Sequence, residues 1–187
     1  MKTLKIIFLG LFMVALSNNV AAQGFGIRGG ANFSTVTGGD IPDVGPITSY
    51  YAGVYYQMSL IKDFLYLQPE LQYSSQGFTT DTGGIKTDYK IDYLTVPILA
   101  KIYVVKILSF EAGPQFGFNV SDTYDAVASG SSSDTVESFD PALAAGFNIN
   151  LPFGLSLDFR YIYSFSEVIA NTDEKNQVIQ AGLGFKF

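Results

Sequence analysis

The sequence predicts an all-β chain, an eight-stranded antiparallel up-and-down transmembrane β-barrel, and three observations lead to that fold class. Apolar residues recur with period two in eight separate segments. The connections between the segments alternate in length, long then short. The strand faces opposite the apolar ones carry small and amide side chains with a balanced set of charges.

Before the first strand, residues 1–22 have the make-up of a secretory signal peptide. Lys2 and Lys5 supply positive charge, Ile6 to Leu16 is an apolar run, and Val20, Ala21 and Ala22 offer small side chains for cleavage. The apolar run is too short to cross a bilayer as a helix. Residues 23–187 are then expected to form one domain. With Lys2 and Lys5 removed, the formal net charge falls from −6 to −8.

The first strand, Gly24 to Ser34, puts Phe25, Ile27, Gly29, Ala31 and Phe33 on one face and Gly26, Arg28, Gly30, Asn32 and Ser34 on the other. The second sets Ala52, Val54, Tyr56, Met58 and Leu60 against Tyr51, Gly53, Tyr55, Gln57 and Ser59. In the third, Leu65, Leu67, Leu71 and Tyr73 oppose Tyr66, Gln68, Glu70, Gln72 and Ser74. Leu94, Val96, Ile98, Ala100 and Ile102 mark the fourth, and Leu108, Phe110, Ala112, Phe116, Phe118 and Val120 the fifth. The last three are marked by Leu143 to Ile149, Leu155 to Phe165 and Ile179 to Phe187. Pro69, Pro97 and Pro114 lie inside these strands, where a missing ladder donor predicts local bulges.

Ile61 to Asp63, Val104 to Ile107 and Leu151 to Gly154 read as short turns, and Thr35 to Thr48, Thr79 to Asp88, Ser121 to Ser138 and Glu167 to Asn176 as long loops. Short and long connections therefore fall on opposite rims, as in outer-membrane barrels. The long loops hold Asp40, Asp43, Asp81, Asp88, Asp122, Asp125, Asp134, Glu137, Glu167, Asp173 and Glu174, opposed only by Lys86 and Lys175. No D-x-D-x-D-G spacing occurs among them, so solvated surface is expected rather than calcium sites.

Period two alone leaves open whether the apolar face points into or out of the barrel, and a soluble lipocalin-like binder of apolar ligands has the opposite polarity. Charged residues make up only 15% of the chain, well below the usual quarter of soluble domains. Aromatic side chains on the apolar face gather near strand ends at Phe25, Phe33, Tyr56, Tyr73, Tyr163, Phe185 and Phe187, as membrane-interface girdles require. On the other face, Gly26, Gly113, Gly117, Ala144, Gly182 and Gly184 leave space for long side chains. Arg28, Lys101, Arg160 and Lys186 are expected to meet Glu70, Glu111, Asp140 and Asp158 there as an interior charge network.

Chemistry is narrowed mainly by exclusion. The chain has no histidine and no cysteine, which removes Ser-His-Asp and Cys-His catalysis, His-liganded zinc and disulfide staples. Its acidity argues against nucleic-acid binding. Glu111 and Asp158 form a candidate acid and base pair, but an interior structural network accounts for the same residues. The glycines of Gly24 to Gly30 lie in a strand with no helix following, so they are not a phosphate loop. No enzyme activity, cofactor or metal is expected.

Gln68-Pro69-Glu70-Leu71-Gln72-Tyr73, Tyr93 to Lys101, Glu111-Ala112-Gly113-Pro114, Gly154 to Tyr161 and the final Gly-Leu-Gly-Phe-Lys-Phe together resemble the PorT-like outer-membrane β-barrel family of Bacteroidetes. The resemblance covers essentially all of residues 23–187 and lies in the order and spacing of the segments. It departs from the family pattern at Ala142, Ala144 and Ser164, where glycines are expected. It implies an eight-stranded barrel in the outer membrane, and its founding member takes part in protein secretion and gliding. Phe185 and Phe187 close an alternating last strand that resembles the signal read by the outer-membrane assembly machinery. The expected partners are therefore outer-membrane lipid, that machinery and an envelope protein docked through the loops. A narrow pore for ions or small solutes is the competing function.

Overall fold

The computed structural model describes residues 24–37, 44–82, 85–124, 138–167 and 175–187. The proposed signal peptide and the loop acids Asp40, Asp43, Asp125, Asp134, Glu137, Asp173 and Glu174 lie outside the described residues.

Eight strands pair in sequence order and close on themselves: β1 (Gly24–Thr37), β2 (Val44–Ile61), β3 (Leu65–Thr82), β4 (Ile85–Val105), β5 (Leu108–Tyr124), β6 (Phe139–Asn150), β7 (Leu155–Glu167) and β8 (Lys175–Lys186). Every neighbouring pair is antiparallel, including the closing pair of β1 with β8. Closure gives both edges of the sheet a partner, which is the condition for a strand-built structure to sit in lipid.

Alternation sorts the side chains as the sequence predicts. Phe25, Ile27, Val54, Leu71, Phe110, Leu143, Phe159, Ile179 and Leu183 are exposed on the outside, whereas Arg28, Glu70, Glu111, Asp158 and Arg160 are buried within. This polarity is the reverse of a lipocalin-like barrel. Aromatic pairs lie along both ends of the outer belt, with Phe25 against Tyr56 and Phe185 against Phe187 near the short-turn rim, and Tyr50 against Tyr73 and Phe118 against Phe139 toward the loops.

Two expectations are corrected. The strands run into segments read as loops: β1 reaches Thr37, β2 begins at Val44, β3 ends at Thr82 and β4 begins at Ile85. Apolar alternation marks where lipid touches the strand, while the backbone ladder continues beyond it on its own hydrogen bonds. Pro69, Pro97 and Pro114 also produce no bulge. Pairing of β3 with β4 skips Glu70 and Leu71 after Pro69 and resumes at Gln72 with Thr95 in the same register. Pairing of β4 with β5 skips Ile98 and Leu99 after Pro97, and Pro114 sits in an unbroken register with Leu143. In an antiparallel ladder each residue bonds to one neighbour only, so a proline opens one short stretch without forcing an extra residue in. The register shifts lie toward the rims instead, between Pro46 and Tyr51, Ser59 and Ile61, Asp92 and Tyr93, Tyr103 and Val105, and Tyr163 and Glu167.

The short turns are tight. Phe64 N–H donates to Ile61 O at 3.1 Å around Asp63, whose φ is 59°. Between β6 and β7, Leu151 N–H donates to Leu155 O at 2.8 Å across a single 3-10 turn, Pro152–Gly154. Phe153 there has φ 64°, a left-handed conformation that costs a side-chain-bearing residue about 1–2 kcal/mol.

Candidate functional site

Large charged side chains need room inside a barrel this narrow, and the register provides it. Arg28 lies between Gly53 of β2 and Gly184 of β8. Arg160 neighbours Gly146 of β6, and Asp158 neighbours Gly182 of β8. A Cβ at Gly184 would fall 2.5 Å from Ser156 Oγ and 2.9 Å from Asp158 Oδ2, so the glycine is what lets this carboxylate lie flat against the wall.

Within that space five charged groups from β1, β3, β5 and β7 converge. Arg160 forms a bidentate pair with Glu70, Nη1 to Oε2 at 3.0 Å and Nη2 to Oε1 at 2.9 Å. The same guanidinium donates from Nε and Nη2 to Glu111 Oε1 at 2.9 and 2.5 Å. Arg28 donates from Nη1 to Glu70 Oε1 at 3.0 Å, and stands 3.7 Å from Glu111 and 3.5 Å from Asp158. Its guanidinium also lies 5.7 Å from the centre of the Tyr51 ring.

Amides and hydroxyls add further donors to Glu70 and Asp158, whereas the buried Glu111 Oε2 accepts no hydrogen bond from the described residues. Gln68 and Gln72, two residues to either side of Glu70 on the same face of β3, both donate to its carboxylate. Asp158 Oδ1 accepts from Asn148 at 3.0 Å and from Ser156 at 2.8 Å. The Glu70 and Arg160 side chains have no exposed surface at all. A buried ion pair is tolerable only with this degree of pairing, because desolvation costs each ion several kcal/mol (roughly).

The other charges expected in the network are placed differently. Lys101 is buried and strand-paired with Glu111, with its Nζ 5.8 Å from the Tyr103 ring centre. Among the described residues it makes no ion pair within 4 Å. Asp140 stands apart near the loop end of β6, where it accepts from Ser164 Oγ at 2.8 Å. Lys186 lies at the opposite end of the barrel, paired in register with Gly26 and only half-buried.

The sequence reading missed how much of the remaining lumen is apolar. Leu99, Ala142, Ala144, Ile162 and Val178 pack together inside, and Val36, Phe78, Ile91 and Tyr93 form a second cluster that Tyr89 joins. Phe78 stacks on Tyr89 with ring centres 5.0 Å apart. These residues share the inward parity of their strands, a signal overlooked because the inward face was read as polar. A second polar layer accompanies them. Asn32 donates to Ser74 Oγ at 3.0 Å and Ser75 O at 2.6 Å, and accepts from Gln180 at 3.1 Å.

Carboxylates for acid and base roles are thus committed to guanidinium partners. Among the described residues no group of three His, Cys, Asp or Glu side chains is arranged to hold a metal ion.

Comparison with known proteins agrees on the architecture. The family of the outer membrane protein beta-barrel domain matches residues 19–170. Neisserial surface protein A shares 16% identity over 87% of this chain and 97% of its own, with a TM-score of 0.61. The attachment invasion locus protein Ail of Yersinia pestis, seen in complex with the heparin analogue sucrose octasulfate, shares 16% identity over 88% of this chain and 99% of its own, with a TM-score of 0.58. A transmembrane β-barrel designed de novo shares 12% identity over 88% and 95%, with a TM-score of 0.50. Identities this low speak for the fold alone. No curated protein matches the chain. A closed eight-strand ladder, an apolar outer belt and a family match over most of the chain lead to one conclusion: this protein belongs to the outer membrane protein beta-barrel domain family and is a β-barrel of the outer membrane.

Proposed function

We propose that this protein is a non-enzymatic, non-conducting barrel that serves as a scaffold in the outer membrane and docks an envelope partner through its loop rim. The observation that carries the reading is the layer of Arg28, Glu70, Glu111 and Arg160 across the lumen, with side chains 0–2% exposed. Eight strands enclose only enough space for side chains, and here charged pairs and apolar clusters occupy it.

The PorT-like resemblance supports a role connected with secretion and a bacteroidete source. Residues 1–22 act in this reading as an export signal, and Phe185 with Phe187 as the handle for the assembly machinery. The loop rim, with its eleven acids and two lysines by sequence, suits a basic patch on a partner protein. It does not suit a polyanion such as the heparin analogue bound to Ail.

Planar-bilayer recording of the purified, folded barrel tests the reading. The expected trace is flat. Reproducible unitary steps that vanish on changing Arg28 or Glu111 would replace the scaffold with a narrow pore.

A further inference from the structure

The short-turn rim is more apolar than turns facing water require. The tips read Leu60-Ile61-Lys62-Asp63-Phe64, Val104-Val105-Lys106-Ile107 and Leu151-Pro152-Phe153-Gly154, and the last strand ends there with Lys186-Phe187. Ile61, Phe64, Val105, Ile107 and Leu151 are all exposed. Simple alternation is interrupted at these tips by the register shifts at Ser59/Ile61 and Tyr103/Val105, which set Ile61 opposite the outward Leu65 and Val105 opposite the outward Leu108, so that both residues of Leu60-Ile61 and of Val104-Val105 join the apolar outer face.

Phe153 is the extreme case. The residue is 92% exposed and its backbone is left-handed, the conformation that its neighbour Gly154 adopts without a side chain to hinder it. An aromatic residue that is strained and packs on almost nothing in its own chain is explained by a contact outside the chain.

Charge adds a second observation. Lys62 and Lys106 are exposed at two of the tips and Lys186 is half-buried on the same rim, against one acidic side chain, Asp63. The opposite rim is strongly acidic. The tips also run without a break into the lipid-facing belt through Leu60, Val104 and Leu155.

We propose that the short-turn rim is a contact surface for anionic phospholipid. Ile61, Phe64, Ile107, Leu151 and Phe153 enter the boundary between headgroups and acyl chains, where aromatic rings are favoured. Lys62 and Lys106 lay their stems along that apolar surface and bring their ammonium groups to lipid phosphates. The barrel is thereby seated low in the bilayer on this side, with its extra strand length projecting on the loop side.

The chain contains no tryptophan, so Phe153→Trp places a single tryptophan at the tip, which is excited selectively at wavelengths beyond tyrosine absorption. The variant is reconstituted into phosphatidylcholine vesicles containing equal fractions of acyl-brominated phosphatidylcholine or acyl-brominated phosphatidylglycerol. The expected result is blue-shifted emission quenched by both lipids, with the brominated phosphatidylglycerol about twofold more effective, and a ratio of one after Lys62→Glu with Lys106→Glu. Leu151→Trp repeats the measurement if Phe153→Trp loses the heat-sensitive gel mobility of a folded barrel. Red emission quenched by iodide but not by bromolipid would overturn the proposal and point to an apolar protein partner. Equal quenching by the two lipids would overturn the anionic preference.

Discussion

Arg160 and Glu70 are 90 residues apart in the chain and meet in the lumen through two parallel hydrogen bonds of 3.0 and 2.9 Å. Arg28 reaches the same carboxylate from the other side at 3.0 Å. Glu70 on β3 is thus the point where charges supplied by β1 and β7 come together.

Removing one member of such a set leaves buried, uncompensated charge. Arg160→Ala is expected to lower stability by about 3–5 kcal/mol, read from urea unfolding of the barrel in lipid vesicles. Adding Glu70→Gln to Arg160→Ala should recover part of that loss, because it removes the stranded carboxylate. Absence of any recovery would contradict a charge-paired layer. Arg160→Lys should fall between, since an ammonium cannot hold two carboxylates in the planar fork.

Space is as important as charge. Gly184→Ala would bring a Cβ to 2.9 Å from Asp158 Oδ2 and displace it from Arg28, at an expected cost of about 1–3 kcal/mol. Gly45→Ala, whose Cβ would find its nearest atom at 3.9 Å, should unfold at the same urea concentration as the parent. Equal effects of the two would mean that packing around the network is loose.

The inner apolar cluster makes a different forecast. Phe78→Ala removes the ring that packs against Tyr89 and should cost about 3–5 kcal/mol in the same unfolding assay. Bilayer recordings of this variant should stay flat, because the Arg28–Glu70–Arg160 layer still spans the lumen.

At the carboxyl end, the proposed assembly role of Phe185 and Phe187 is separable from stability. Phe187→Ser keeps the backbone bond from Phe187 N–H to Phe25 O, recorded at 2.9 Å, so refolding into detergent should proceed with parental yield. The amount of folded protein in cellular outer membranes should fall several-fold, measured by the unheated gel band. Parallel loss in both assays would assign Phe187 to stability alone.

Much of this architecture is legible in residue order. Two-residue alternation identified all eight strands and the outward residues on each, because lipid demands an apolar side chain at every second position. It did not find where the strands end, since Thr79 to Thr82 and Ile85 to Asp88 continue the ladder without apolar alternation. Charged residues of inward parity were also visible, but parity gives no height along the barrel axis. Height separates Asp140, beside Ser164, and Lys186, beside Gly26, from the layer at Glu70. Phe78, Ile91 and Ile162 escaped notice for another reason. A barrel interior is a packed core, and it takes apolar volume wherever polar groups leave gaps.

The division of charge among the strands bears on how the barrel is built. Among the described side chains of the five middle strands, β2 to β6, Glu70, Glu111 and Asp140 are buried on the inner faces with only Lys101 to offset them. Both arginines belong to the outer strands, Arg28 on β1 and Arg160 on β7. Arg160 on β7 reaches Glu70 on β3 and Arg28 on β1 reaches the same carboxylate, pairs between strands that are not neighbours, so an open sheet leaves these inner-face charges unpaired until it curls. Ion pairing and curvature therefore arrive together, and a flat, open sheet is the state whose inner-face charges lipid tolerates least.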